Sequence, residues 1–305
     1  MTYRIGSRRS ALAMYQSELV QSMLAEICPT EVVGFATDGD NQSLSLSSAG
    51  SAGIFVNALR AALVDGRADL VVHSLKDLPT YADARFTLAA IPQRIDVQDV
   101  FIARGGLSVN ELPEGAVVGT SSPRRSVWIK QLRPDVEVRP IRGNVETRLR
   151  KVADGEFDAT ILAFAGLKRL GLLTEHMHVI DLEELTPAPG QAALAVECRS
   201  EDAELIELLR LIDDSPARLC VTAERTVLRT LSASCATAAG AYAFIDDRGL
   251  LNLTADVSSV ETTEQIRVQV AMPVADEMAA VALGEMVANE LIEDGAYELI
   301  GETRG

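Results

Sequence analysis

Short apolar or β-branched runs alternate along this chain with stretches of helical periodicity, and few folds accommodate that rhythm. RIG precedes a helical pattern over Ser10 to Ile27, VVGFAT precedes one over Gly53 to Val64, and DLVVHS follows. AVVGTS leads into Pro123 to Leu132, VEVRPI into a helix from about Asn144, and ATILAF into another near Ala165. Such alternation predicts an α/β protein with parallel sheets built from βαβ units. Sheets of this kind collect ligands beyond the carboxyl ends of their strands, where helix N-termini direct free N–H groups. The 305 residues allow two or three domains, and a chain that is 48% hydrophobic and 24% charged can bury a core.

Two strand-to-helix junctions carry cations where a helix would not choose them. In VVGTSSPRRS, Ser122 is a candidate N-cap and Pro123 the first helical residue, which puts Arg124 and Arg125 in the first turn. Positive charge there opposes the helix dipole, so a bound anion explains it better than helix stability does. In VRPIRGNVETRLRK, Asn144 is a similar cap, with Arg142 just before it and Arg148 one turn on. The stretch from Arg124 to Lys151 holds nine basic and three acidic residues, a local +6, whereas the whole chain carries −16 and the remainder therefore −22. For several of these side chains a solvated helix face is a sufficient account. The rest read as the lining of a polyanion pocket, because arginine fits carboxylate or phosphate in a bidentate fork. The overall acidity argues against a nucleic-acid partner.

A third junction, DLVVHSLKDLP, ends a buried run with His73, Ser74, Lys76 and Asp77. An ordinary solvated loop and a catalytic strand end, with a carboxylate that stabilises positive charge on a ligand, both fit this string. Cys28, Cys198, Cys220 and Cys235 form no CxxC pair, so a functional cysteine acts alone, and three histidines argue against a His-rich metal centre. No stretch approaches the ~20 apolar residues that span a bilayer, and the first residues lack a signal-peptide core. The expectation is a cytoplasmic protein with no membrane partner.

The strings SRRSALA, VHSLKDLP, VGTSSPRR, RGNVETRL, ILAFAGLKRLG, AVECR and TAERTVLRTLSASC, in this order, resemble the hydroxymethylbilane synthase family, also called porphobilinogen deaminase. The resemblance runs from about Arg4 to Tyr242. It implies condensation of four porphobilinogen molecules head to tail on a covalent dipyrromethane cofactor, ammonia leaving at each step, followed by hydrolytic release of hydroxymethylbilane. By position in LSASC, the cofactor cysteine is Cys235. The resemblance further implies that Ser122, Arg124, Arg125 and Lys76 hold the cofactor, and that Arg8, Ser10, Arg142, Arg148, Arg169 and Phe55 meet the substrate. Asp77, with Lys76 beside it, is the implied catalytic carboxylate. Porphobilinogen bears an acetate and a propionate, so the growing chain accumulates carboxylates and the arginines supply the counter-charge.

The architecture the resemblance implies has two lobes like those of type II periplasmic binding proteins and a smaller α+β C-terminal domain. Residues 1–92 and 193–212 form the first lobe, 98–187 the second and 215–305 the third domain, in a monomer. IPQRIDVQD (Ile91 to Asp99) and TPAPGQ (Thr186 to Gln191) fit the two crossings. The 241–305 segment, with thirteen acidic and three basic residues, reads as a solvated surface. Some family positions differ: Ser48 and Ala52 stand at loop lysine positions, Asp38 replaces an arginine, SASCATAAG replaces a glycine-rich version, and Ala192 stands where glycine is usual. Two other readings remain at this point, a non-catalytic anion sensor of the same fold and a cofactor-free paralogue.

Overall fold

The structure, a computed structural model, describes residues 2–36, 51–233 and 237–300, and for 51–55 the backbone alone. Ser48, Asp38 and Cys235 lie outside the described residues, as do the side chains of Ala52 and Phe55. Among the described residues the chain runs β1 (Tyr3–Arg8), α1 (Ala11–Leu24), β2 (Thr30–Phe35), α2 (Ser51–Val64), β3 (Leu70–Ser74), a 3-10 turn at Leu75–Asp77, β4 (Phe86–Ala90) and β5 (Asp99–Ala103). It continues with β6 (Val117–Gly119), α3 (Pro123–Leu132), β7 (Glu137–Arg139), α4 (Val145–Ala153), β8 (Ala159–Ala163), α5 (Phe164–Arg169), β9 (His178–Val179) and β10 (Leu194–Arg199). The last part comprises α6 (Ala203–Leu209), α7 (Ser215–Thr230), β11 (Ala239–Ile245), β12 (Leu250–Ser258), β13 (Gln265–Pro273), α8 (Glu277–Glu293) and α9 (Ala296–Ile300).

The chain divides into two compact units: Met1–Ile95 with Gly190–Arg218, and Asp96–Pro189 with Leu219–Gly305. In the first, five strands lie in the order β2-β1-β3-β10-β4, with β1, β2 and β3 parallel and β10 antiparallel to both its neighbours. Strand periodicity sends alternate side chains to opposite faces. Leu70 and Val72 of β3 pack with Val20, Leu24 and Val196, while Val71 between them packs with Leu59, Leu63 and Phe86. Both faces are thus covered, which is why DLVVHS reads as a continuous apolar run rather than an alternating one.

The second unit repeats that plan. Its five strands lie in the order β7-β6-β8-β5-β9, with β6, β7 and β8 parallel and β5 antiparallel to β8 and β9. Phe101 joins Val118, Trp128 and Ile161 on one face, and Val100 and Ile102 join Leu162 and Leu167 on the other. The fourth place in each sheet is taken by an antiparallel strand that begins at or just after the end of one of the two segments read as crossings. The same unit also holds a three-stranded antiparallel sheet, β11-β12-β13. Leu251, Leu253, Ala255 and Val257 of β12 form a buried row with Leu283, Val287 and Leu291 of α8. Each buried leucine or valine of that row contributes roughly 1.5–3 kcal/mol. The fold class implied by the resemblance, two α/β sheets with a smaller α+β part, is the one observed.

Candidate functional site

Antiparallel insertion has a chemical consequence. The strands β6, β7 and β8 are parallel, so their carboxyl ends share one edge, and β5, running the other way, delivers its first residue to that edge. Asp99 is that residue, paired in register with Ala163 at the end of β8. At the end of β6, Ser122 takes the N-cap position of α3 without a side-chain cap bond, and Pro123 opens the helix as expected. Arg124 and Arg125 follow in the first turn, and both are buried.

Their partners lie within the chain. Arg125 Nη2 sits 2.6 Å from Asp99 Oδ1, and its Nη1 donates to the Ile161 carbonyl at 3.0 Å. Arg124 Nη2 lies 2.7 Å from Asp99 Oδ2, and its Nη1 donates to the Thr186 carbonyl at 2.8 Å. The sequence reading assigned an anion from outside to this helix end; the protein's own Asp99 carboxylate also stands beside both arginines. Burial disfavours the Arg124 cation and lowers its pKa, with Asp99 acting in the opposite direction. Arginine does not give up its proton in proteins, so burial instead makes acceptors obligatory.

Of the other arginines named from the sequence, Arg142 and Arg148 are less enclosed and Arg169 is equally so. Arg142, ahead of α4, is exposed, and Asn144 caps α4 by accepting the Thr147 N–H at 2.9 Å. Arg148 is half-buried and its Nε donates to the Gly143 carbonyl at 2.9 Å. Arg169, in the last turn of α5, is buried.

The first unit shows the same device. The parallel strands β1 and β3 end on one edge with Arg8 and Ser74. Ser10 caps α1, its hydroxyl accepting from the Ala13 N–H at 3.4 Å. Arg8, Gln16, His73, Ser74 and Asp77 line one small cavity, and Gln16 Nε2 donates to Ser74 Oγ at 2.9 Å. Asp77 closes the 3-10 turn with an exposed carboxylate. Because β10 runs antiparallel, the segment before it reaches this edge too, and Lys76 Nζ donates to Gln191 Oε1 at 3.1 Å. The backbone there is tight: Gly190 and Ala192 have φ of 73° and 71°, a region that favours glycine. Ala192 is the position where the family usually has glycine, and this conformation is the physical reason.

Sequence reasoning thus named Arg8, Ser10, Lys76 and Asp77, which the first unit gathers at one edge, and Arg124, Arg125 and Arg142, which follow the carboxyl ends of β6 and β7 in the second. It missed Asp99, Gln191 and Gln16. Asp99 and Gln191 end the two stretches read as crossings, where polar residues look like solvated linker; a strand of inward-facing residues following each was the available signal. Cys28, Cys198 and Cys220 are buried, and burial pushes the Cys198 thiol up to about 12, which keeps it inert. No helix among the described residues is long and apolar enough to cross a membrane.

Fold and site together define an α/β protein whose strand ends present arginine, lysine and serine donors suited to carboxylates. Residues 3–207 match the family model "Porphobilinogen deaminase, dipyromethane cofactor binding domain", and 218–293 match "Porphobilinogen deaminase, C-terminal domain". The chain is 44% identical to the porphobilinogen deaminase of Thermobifida fusca (strain YX), covering 98% of this chain and 96% of the relative. It is 45% identical to that of Corynebacterium diphtheriae, covering 99% and 100%. The chain belongs to the porphobilinogen deaminase family. Among solved structures it is similar to a putative lipoprotein from Ruminococcus gnavus (14% identity, TM-score 0.45, covering 68% of this chain and 89% of that one). A second is the periplasmic VFT2 domain of Bordetella pertussis BvgS (15%, 0.40, covering 68% and 85%).

Proposed function

We propose that the strand-end donors named from the sequence hold the carboxylates of a growing pyrrole chain and that Asp77 serves its chemistry. The chain is a transferase, a hydroxymethylbilane synthase of tetrapyrrole biosynthesis, with porphobilinogen as substrate and a dipyrromethane cofactor. When bound, the dipyrromethane supplies the pyrrole end on which four porphobilinogen units are condensed, ammonia leaving at each addition, before water releases hydroxymethylbilane. The observation that supports the assignment of residues is the place of Ser122 and Arg124 just after β6 and of Arg142 just after β7, at the carboxyl ends of two parallel strands. That donor set fits a ligand bearing several carboxylates, since each guanidinium can receive one in a fork.

In this reading Ser122, Arg124, Arg125 and Lys76 bind cofactor carboxylates, and Arg8, Ser10, Arg142, Arg148 and Arg169 bind those of incoming substrate. Asp77, exposed beside the cavity lined by Arg8 and His73, offers an acceptor to a pyrrole N–H and a place to hold a proton as charge develops there. Lys76 is oriented by Gln191, so its ammonium is directed rather than free to sweep solvent. The family resemblance assigns Phe55 to the substrate and the thioether to Cys235. The same reading takes residues 1–92 with 193–212, 98–187 and 215–305 as three domains of a cytoplasmic monomer.

Intact-mass measurement of the purified chain tests the anchor. An addition equal to two pyrrole units, absent from Cys235→Ser, is expected; an unmodified wild-type chain, or an addition that persists in the variant, overturns it.

A further inference from the structure

Arg124 is held by two acceptors, and they come from different places: Asp99 from the five-stranded sheet, and the Thr186 carbonyl from the segment that follows β9. That segment is fastened to the three-stranded sheet at three points. Thr186 Oγ1 donates to Asp256 Oδ2, Ala241 N donates to the Pro187 carbonyl at 3.0 Å, and Arg267 Nη1 donates to the Glu183 carbonyl. Arg267 Nη2 also lies 3.0 Å from Asp256 Oδ2, from the register position opposite on β13.

Gly240 faces Asp256 across the β11–β12 ladder. A Cβ there would stand 2.8 Å from the Thr186 carbonyl oxygen and 2.9 Å from Asp256 Oδ1, so only glycine permits the approach. Thr186 and Asp256 are both almost wholly buried, at 1% and 3% exposure. Among the described residues, Arg124, Arg125 and Arg267 meet the two carboxylates of Asp99 and Asp256 in this cluster. β11 begins at Ala239, four residues beyond Cys235 in sequence.

We propose that Asp256 is a positioning residue for the dipyrromethane, fixing the Thr186 carbonyl and through it the guanidinium of Arg124. Asp256 touches neither cofactor nor substrate. It sets where an acceptor stands, and the acceptor aims the arginine: an Arg124 that loses one of its two anchors keeps its charge but not its direction, and a bidentate fork tolerates little misdirection. The strand ladder that follows the cofactor cysteine in sequence thereby also determines the orientation of an arginine that meets the cofactor's carboxylate. The inference rests on the assignment of Arg124 to the cofactor made above.

The test compares the full chain without cofactor and after loading with porphobilinogen, by thermal unfolding and intact mass. Wild type is expected to carry the adduct and to unfold at a higher temperature when loaded. In Asp256→Asn and in Thr186→Val, that loaded-minus-unloaded gap should shrink by at least half and KM should rise severalfold more than kcat falls. Thr186→Ser, which keeps the hydroxyl, should retain the gap. A purely structural role would lower both unfolding temperatures together with the gap intact, and that result in the Thr186 variants overturns the inference even where Asp256→Asn does not fold. A wild-type chain that carries no adduct overturns both this inference and the reading beneath it.

Discussion

Arg60 grips Glu197 through a fork, Nε donating to Oε2 at 2.9 Å and Nη2 to Oε1 at 2.7 Å, across 137 residues of sequence. The pair ties α2 to β10, and His73 Nε2 stands 3.5 Å from the same carboxylate. Burial alone would raise the Glu197 pKa; His73 and Arg60 outweigh it and hold the carboxyl below its ordinary value of 4.5. A carboxylate with a depressed folded pKa stabilises the fold above its unfolded pKa, and that contribution is lost as pH falls through the folded value. Glu197→Gln should therefore cost about 3 kcal/mol near neutrality, as for a buried pair stripped of one partner. The gap between wild type and variant should narrow as pH drops below 4.5. Urea unfolding across that range reads it directly, and a gap independent of pH would contradict the assignment.

Ala192 holds φ at 71° between Gln191, which orients Lys76, and β10. An L side chain there costs roughly 1–2 kcal/mol, and replacing alanine by glycine returns about 0.4–1 kcal/mol to the unfolded chain. Ala192→Gly should therefore raise stability by about 0.5–1 kcal/mol. Differential scanning calorimetry decides the sign; a lower Tm would show that the neighbouring backbone relaxes around Ala192 without strain.

Asp77→Asn keeps the shape of the exposed side chain at the end of the 3-10 turn and removes its charge. Cofactor attachment should persist by intact mass, while turnover falls by about 10²–10⁴-fold, the scale of a lost acid–base group. Near-normal formation of hydroxymethylbilane would remove Asp77 from the chemistry.

Arg142 is exposed at the loop before α4, so Arg142→Ala should leave unfolding within about 0.5 kcal/mol of wild type. The expected defect lies in elongation: a mass ladder of enzyme-bound products that stops short of four added units and a raised KM, milder than the loss at Asp77. A full ladder with wild-type KM would show that Arg142 meets no substrate carboxylate.

Much of the local structure was legible in the residues. Pro123 at the start of α3 and the Asn144 cap of α4 stand where the sequence puts them, and the helical patterns read from Ser10 and from Gly53 fall in α1 and α2. The arginines were legible as a group, because a cation in a first helical turn is a local anomaly. Their partners were not. Asp99 looks like one more polar residue of a linker, and Glu197 like an ordinary member of AVECR.

Periodicity, caps and turn residues act over three or four positions, so the order of strands and helices and the residue types at each junction are written in the sequence alone. Which carboxylate faces which arginine is not, since it depends on where distant strands enter a sheet. The antiparallel course of β5 and β10 brings Asp99 to Arg125 across 26 positions and Gln191 to Lys76 across 115. That course follows from closing two hydrophobic faces at once, and only the folded chain solves that packing problem.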